Sequence, residues 1–284
     1  MTAGRKRVRV SAFAKINLDL RVLARRPDGY HELRTTFQSI ALADALTFTR
    51  SAGAFRIVCS DPACPTDESN LVWRAAALVW KAAGRRGVPK GVTVRIEKRV
   101  PMQAGLGGGS SDAAAALRAL AKWWRVKIAP DTLRRLASTI GADVPYFLEG
   151  GTALGLSRGD VLVPLDDIAR AWVVLIVPAF GVSTKDAFAW WDREHLGQEG
   201  QEGQEANDLE PVVATHHPIV RRLTRALKRE GASRASLSGS GSAVFGLFAS
   251  RLAAERAAAA LTGDHHVVVT RTLSRRECGK LAAT

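Results

Sequence analysis

Residues 101–112 read PMQAGLGGGSSD, and the chain continues directly into AAAALRALAKWW, ending at Trp124. No other stretch restricts the fold as tightly. Pro101, Met102, Gln103 and Ala104 lead into Gly105, Leu106, Gly107, Gly108 and Gly109, followed by Ser110 and Ser111. Glycines lack a Cβ, so the backbone can bend sharply and bring its N–H groups close to a ligand. Ser110, Ser111 and Asp112 are good helix-start residues. The first N–H groups of a helix have no internal partner, and the helix dipole makes that end positive. The spacing predicts an amide-lined bend on a helix from about Ser111 to Trp124, a ready cradle for phosphate. The plain alternative is a flexible Gly/Ser turn ahead of a core helix.

The familiar phosphate motifs do not fit. A Walker A loop needs Gly-Lys-Ser/Thr, and no lysine follows these glycines. A dinucleotide fingerprint needs G-x-G-x-x-G, and Ser110 stands where the third glycine belongs. The protein-kinase loop fails as well, since no V-A-I-K or H-R-D set lies downstream.

With 284 residues the chain has room for two domains or one large one. No apolar run approaches the length of a membrane span. The first twenty residues are basic but lack an apolar segment of secretory type. Cys59, Cys64 and Cys278 are scattered, which argues against a disulfide framework or a zinc site and fits a reducing cytoplasm. The net charge of +14 raises nucleic acid as a partner. Its arginines come in short groups with few interleaved aromatics, so a stacking platform for single strands is not expected. A positive field also draws in anionic small molecules.

Alternating strands are expected at Val8–Val10, Leu18–Leu23, Thr35–Leu42, Ala45–Thr49, Phe55–Cys59 and Val92–Ile96, with a turn at Arg26–Gly29. Helical spacing marks Asn70–Ala83, and Pro130 opens another helix that Gly141 stops near Ile140. Further on, Ala171–Val177, Ala243–Phe248 and Val267–Thr272 read as strands. Thr184–Trp191, Pro218–Glu230 and Leu252–Leu261 read as helices. The Gln-Glu-Gly run from His195 to Asn207 has no apolar anchor and reads as a mobile surface loop. Strands and helices mixed without regular alternation argue an α+β fold.

Four further clusters carry reactive groups. Lys15 and Asn17 sit two apart, on one face of a strand, where an exposed edge charge is the default. Asp143, in Gly141-Ala-Asp-Val-Pro145, is either a fixed general base or a turn aspartate. Ser236-Leu-Ser-Gly-Ser-Gly-Ser242 offers small residues and hydroxyls for a second phosphate, or a flexible turn. Tyr30 and His31, after Pro27-Asp-Gly29, suit a base or sugar, although a tyrosine after a turn commonly packs at a strand start. No metal-ligand spacing is present, and phosphate handling is the chemistry left standing.

The order AKINLDL, PDGYH, PMQAGLGGGSSDAAAAL, GADVPYF, GVSTKDAF, NDLE and SLSGSGSAVF resembles the 4-diphosphocytidyl-2-C-methyl-D-erythritol kinase family, from about Phe13 to Phe248. That family lies within the galactokinase, homoserine kinase, mevalonate kinase and phosphomevalonate kinase superfamily. The resemblance implies a two-domain α+β small-molecule kinase fold. Its N-terminal part, residues 1–157, is ribosomal-protein S5 domain 2-like and binds ATP. Its C-terminal part, residues 158–284, is ferredoxin-like and lies on the substrate side, with the active site in the cleft between them. It further implies transfer of the ATP γ-phosphoryl group to a cytidine-diphosphate-linked polyol, with Asp143 as general base and Lys15 as its cationic partner. The loop from Pro101 to Ser111, with Asn70, Leu71 and Lys98, then holds ATP. Asn17, Tyr30, His31, Thr184, Phe188 and Ser240 hold the acceptor, with His31 reading the cytosine edge and Tyr30 and Phe188 enclosing the ring. Mg²⁺ is implied by ATP chemistry, with Ser110 or Ser111 as the open choices of ligand and no metal ligand assigned. No nucleic acid or membrane partner is expected, and the choice between monomer and homodimer stays open. Asp112 stands where many members carry asparagine, and the Gln-Glu-Gly run is not part of the pattern.

Overall fold

Apolar residues at every second position from Ala12 to Val22 are all buried, which is the signature of a strand pressed onto a core. This strand, β1 (Arg7–Arg25), pairs antiparallel along its length with β2 (His31–Ala54). The computed structural model describes residues 7–194 and 205–282. The four strands expected between Val8 and Thr49 are thus two long ones, because register shifts let each strand bend without ending. β3 (Arg56–Cys59) and β4 (Lys90–Glu97) extend the sheet beside residues 45–54 of β2. β5 (Thr152–Ser157) and β6 (Val161–Pro164) extend it beside residues 33–38.

One core lies between this sheet and α1 (Leu71–Ala82), α2 (Gly108–Trp123) and α3 (Pro130–Ile140). The alanines of α2 allow close approach: Ala113, Ala114, Ala116 and Leu117 are all buried. A short helix, α4 (Tyr146–Glu149), follows the turn that carries Asp143.

The second sheet has the order β10-β7-β9-β8, with β7 (Trp172–Pro178), β8 (Arg234–Leu237), β9 (Val244–Phe248) and β10 (His265–Arg271). Every pairing is antiparallel. Numbered within this half, the strand order is 4-1-3-2, the ferredoxin-like arrangement expected from the resemblance. Helices α5 (Thr184–Glu194), α6 (Leu209–His216), α7 (Ile219–Arg229) and α8 (Arg251–Ala260) belong to this half, and α9 (Arg275–Leu281) follows β10.

A shared apolar seam joins the halves. Ala14, Ile16, Leu18, Ile40, Ala104 and Leu106 pack with Val173, Leu175, Ala243 and Phe245 in one buried cluster. Each fully buried large side chain there contributes roughly 1.5–3 kcal/mol. The expected loop at 195–207 lies mostly outside the described residues. Residues 205–207 are described, and Asn207 corrects that expectation, being fully buried and bonded to Leu237 O and Gly239 O.

Candidate active site

Lys15 sits on β1 between the sheet and the glycine loop, with its backbone N–H donating to Leu106 O at 3.1 Å. Its buried ammonium donates to Asn17 Oδ1 at 2.6 Å and Gly105 O at 2.8 Å, and lies 3.6 Å from Asp143 Oδ2. Two hydrogen-bond acceptors and a facing carboxylate satisfy this ammonium. Burial pushes the Lys15 pKa down, and the facing Asp143 carboxylate opposes that. The exposed edge charge expected from spacing is therefore corrected: β1 is covered on both faces, and Lys15 lies at the bottom of a cavity. The buried Val144 anchors the turn that carries Asp143.

The loop geometry explains its glycines. Gly105 has φ +72°, and a Cβ there would lie 1.9 Å from the carbonyl oxygen of Ser238. Gly107, at φ +70°, is the N-cap of α2, and no side chain caps this end. Ser111 N–H donates to Gly107 O at 2.9 Å, so the amides of Gly108, Gly109 and Ser110 are the ones the helix leaves open. All three residues line the cavity, as do Pro101, Met102, Gln103, Ala104, Leu106 and Leu71.

Lys98 lines the cavity too, yet its ammonium is held by Asp44 and, at 3.0 Å, by Asp112. Burial opposes its charge, but the two carboxylates outweigh burial and raise its pKa above the usual lysine value. Burial, with Asp44 beside it, pushes Asp112 up to about 7 against the pull of Lys98. Asp44 also accepts from the amides of Arg99 at 2.5 Å and Val100 at 2.8 Å, fixing the chain that enters the loop. Two expected ATP contacts face elsewhere. The Asn70 side chain caps α1 through Val72 N–H and donates to Pro65 O at 2.6 Å. The Ser111 hydroxyl donates to Phe13 O at 2.7 Å, on the far side of α2.

At the other end of the cavity, Thr184 and Ser240 hydroxyls lie 3.1 Å apart. Asn17 Nδ2 donates to Thr35 Oγ1 at 2.7 Å, which orients its carbonyl toward Lys15. Tyr30 is exposed, with the Arg158 guanidinium 5.0 Å from its ring centre. His31 is buried and stacks on Phe188, with centroids 4.6 Å apart and 17° between the planes. These groups, with Lys15 and Asp143, line one cavity of about 1020 Å³.

Several supporting residues carried no assigned role in the sequence. Asn207 Nδ2 donates to Leu237 O at 2.9 Å and Gly239 O at 2.8 Å, and Glu210 Oε2 accepts from Ser236 Oγ and Leu237 N–H at 2.9 Å. Together they pin the Ser236–Ser242 loop against Gly105. The NDLE string was the available signal. Asp192, beside His31, had none. Among the described residues, no group of three or more His, Cys, Asp or Glu could hold a metal ion, and no helix is long and apolar enough to cross a membrane.

Two family patterns match the chain: GHMP kinases N terminal domain at residues 70–151 and GHMP kinases C terminal at residues 192–266. The 4-diphosphocytidyl-2-C-methyl-D-erythritol kinase of Moorella thermoacetica is 41% identical over 92% of this chain and 98% of its own. The chain belongs to the 4-diphosphocytidyl-2-C-methyl-D-erythritol kinase family. Another member of that kinase family, from Solibacter usitatus, is 42% identical over 89% of this chain and 85% of its own. A crystal structure of 4-(cytidine 5'-diphospho)-2C-methyl-D-erythritol kinase superposes with a TM-score of 0.77 at 35% identity, covering 93% of this chain and 98% of that one. A homoserine kinase from Cytophaga hutchinsonii, at 20% identity and a TM-score of 0.69, shares the fold.

Proposed function

We propose that this kinase transfers the γ-phosphoryl group of ATP to the 2-hydroxyl of 4-diphosphocytidyl-2-C-methyl-D-erythritol, in the non-mevalonate route to isoprenoid precursors. The observation that carries the reading is the Lys15–Asp143 pair at 3.6 Å, set beside the Gly105 bend in the same cavity as His31 and Phe188. The open amides of Gly108, Gly109 and Ser110 receive the triphosphate. Asp143 accepts the proton of the acceptor hydroxyl. That oxygen attacks the γ-phosphorus, the bond to the β,γ-bridging oxygen breaks, and ADP leaves. Lys15 pairs with Asp143 and steadies charge on the attacking oxygen. Positioning and charge carry most of such a reaction.

Residues 1–157 serve ATP and residues 158–284 the acceptor, although Asn17, Tyr30 and His31 reach across from the first half, whose sheet runs on through β6 to Pro164. Bound Mg²⁺ would supply neutralisation of phosphate charge. Ser110 is the hydroxyl that fits it, since it lines the cavity while Ser111 is bonded to Phe13 O. His31, Tyr30 and Phe188 take the cytosine end, and Asn17, Thr184 and Ser240 the polyol and diphosphate.

A steady-state assay with ATP and either the cytidine compound or mevalonate tests the reading. The expected result is efficient turnover of the cytidine compound alone. Faster turnover of mevalonate would overturn it.

A further inference from the structure

His31 is gripped by one face of α5. Its Nε2 lies 2.6 Å from Asp192 Oδ1, its ring stacks on Phe188, and its edge meets Trp191 at 5.8 Å between centroids. Positions 188, 191 and 192 follow the i, i+3, i+4 spacing, so all three point the same way from the helix. A neutral imidazole has one N–H and one bare nitrogen, and an ionised carboxylate only accepts. The N–H of the neutral ring therefore sits on Nε2, donated to Asp192, and Nδ1 keeps its lone pair. Among the described residues no hydrogen bond reaches Nδ1, and His31 lines the cavity.

We propose that Asp192 is a positioning residue for base selection. It holds His31 as the Nε2–H tautomer, so that Nδ1 accepts a hydrogen bond from the 4-amino group of cytosine and faces the lone pairs of a uracil O4. Cytosine presents a donor at this position and uracil an acceptor. A site built to accept leaves its own group unpaired with the wrong base, which is a strong basis for rejection. This inference rests on the proposed reading that the cavity binds a cytidine diphosphate.

The test uses the full-length enzyme, ATP, and the cytidine and uridine forms of the acceptor. In Asp192→Asn the amide can turn its NH₂ toward Nε2, which shifts the proton to Nδ1. Asp192→Ala removes the restraint, and Asp192→Glu keeps a carboxylate. The cytidine-to-uridine ratio of kcat/KM is expected to fall about tenfold or more in the Asn and Ala variants, mainly through acceptor KM. The KM for ATP should hold, and the Glu variant should restore most of the ratio. Ring ¹⁵N NMR of the wild-type protein should show His31 protonated at Nε2 and bare at Nδ1. A bare Nε2 with a protonated Nδ1, or an unchanged ratio in both the Asn and Ala variants, would overturn the proposal. His31→Ala separates the two levels. If it abolishes selectivity while the Asp192 variants keep it, only the role of Asp192 fails. If it alters neither selectivity nor acceptor KM, the cytidine reading fails with it.

Discussion

Lys15 has its two hydrogen-bond acceptors and its ion-pair partner because β1 lays it directly under the glycine bend. Its partner Asp143 is about one-third exposed, so the carboxylate is open to an acceptor alcohol while the ammonium beneath it is sealed. Asp143→Asn keeps the shape and removes the base. Its kcat should fall by about 10²–10⁴-fold, while ATP-analogue affinity measured by calorimetry changes little. An unaltered kcat would take Asp143 out of the base role. Gly105 gives a second prediction. In Gly105→Ala both a left-handed backbone and a 1.9 Å approach to Ser238 O must be relieved. Thermal melts should show a loss of at least about 1–3 kcal/mol, with weaker ATP binding. Gly29→Ala is the control, since φ is +84° there but no atom lies within 4 Å. It should be clearly milder. Gly105 and Asp143 were both readable as residues, but the Ser238 carbonyl that makes Gly105 irreplaceable lies 133 positions away in the chain.

At the scale of elements, the long periodic segments were legible, and of the short strands only those with a dense apolar run, β3 and β9, were. The helices at Asn70–Ala83, Pro130–Ile140 and Pro218–Glu230 match α1, α3 and α7 closely. β5, β6 and β8 escaped because four to six residues carry too little alternation to separate from a loop. Helix α6 was hidden by Pro211, which its first turn tolerates because those amides have no partner there. Helix α9 did carry a signal: Ser274 and Glu277 form a reciprocal capping box. The Ser236–Ser242 loop shows how an element depends on distant support. Asn207→Ala would leave the carbonyls of Leu237 and Gly239 without their buried donor, at about 1–3 kcal/mol for each unsatisfied group. The expected outcome is a lower melting temperature and a raised acceptor KM. A melting temperature within a degree of wild type would remove Asn207 from that role.

Across the whole molecule, the Asp44–Lys98–Asp112 cluster ties stability to pH. The folded state raises Asp112 from 3.8 to about 7. Between those values the folded chain holds a proton that the unfolded chain has released, so stability falls as pH rises from about 4 to about 7. The raised pKa of Lys98 acts at the other end of the scale: its contribution is complete below the ordinary lysine range and is lost above it. Asp112→Asn removes the first dependence while keeping an acceptor for Lys98. Denaturant titrations of this variant should show a flatter stability profile between pH 4 and 7. A slope equal to that of wild type would rule out Asp112 as its source.

Composition, glycine placement and motif order were enough to determine an α+β kinase with a tight glycine bend at the start of α2, because these depend on local backbone chemistry and on residue identity. Tertiary structure alone decided which face each polar group serves. Ser111 and Asn70 look like ligand contacts in the sequence, yet bond to the protein's own backbone. Lys98 is an ATP contact by the family resemblance, yet its ammonium is shared by two carboxylates. Asp192 looks like any helix-surface acid, yet sets the orientation of His31. The physical reason is common to all of them. A polar side chain's role follows from which partner satisfies it once water is excluded: Asn70 finds its partners within five residues, Ser111 and Lys98 find theirs where α2 packs on the first sheet, and Asp192 meets His31 only where the two halves join.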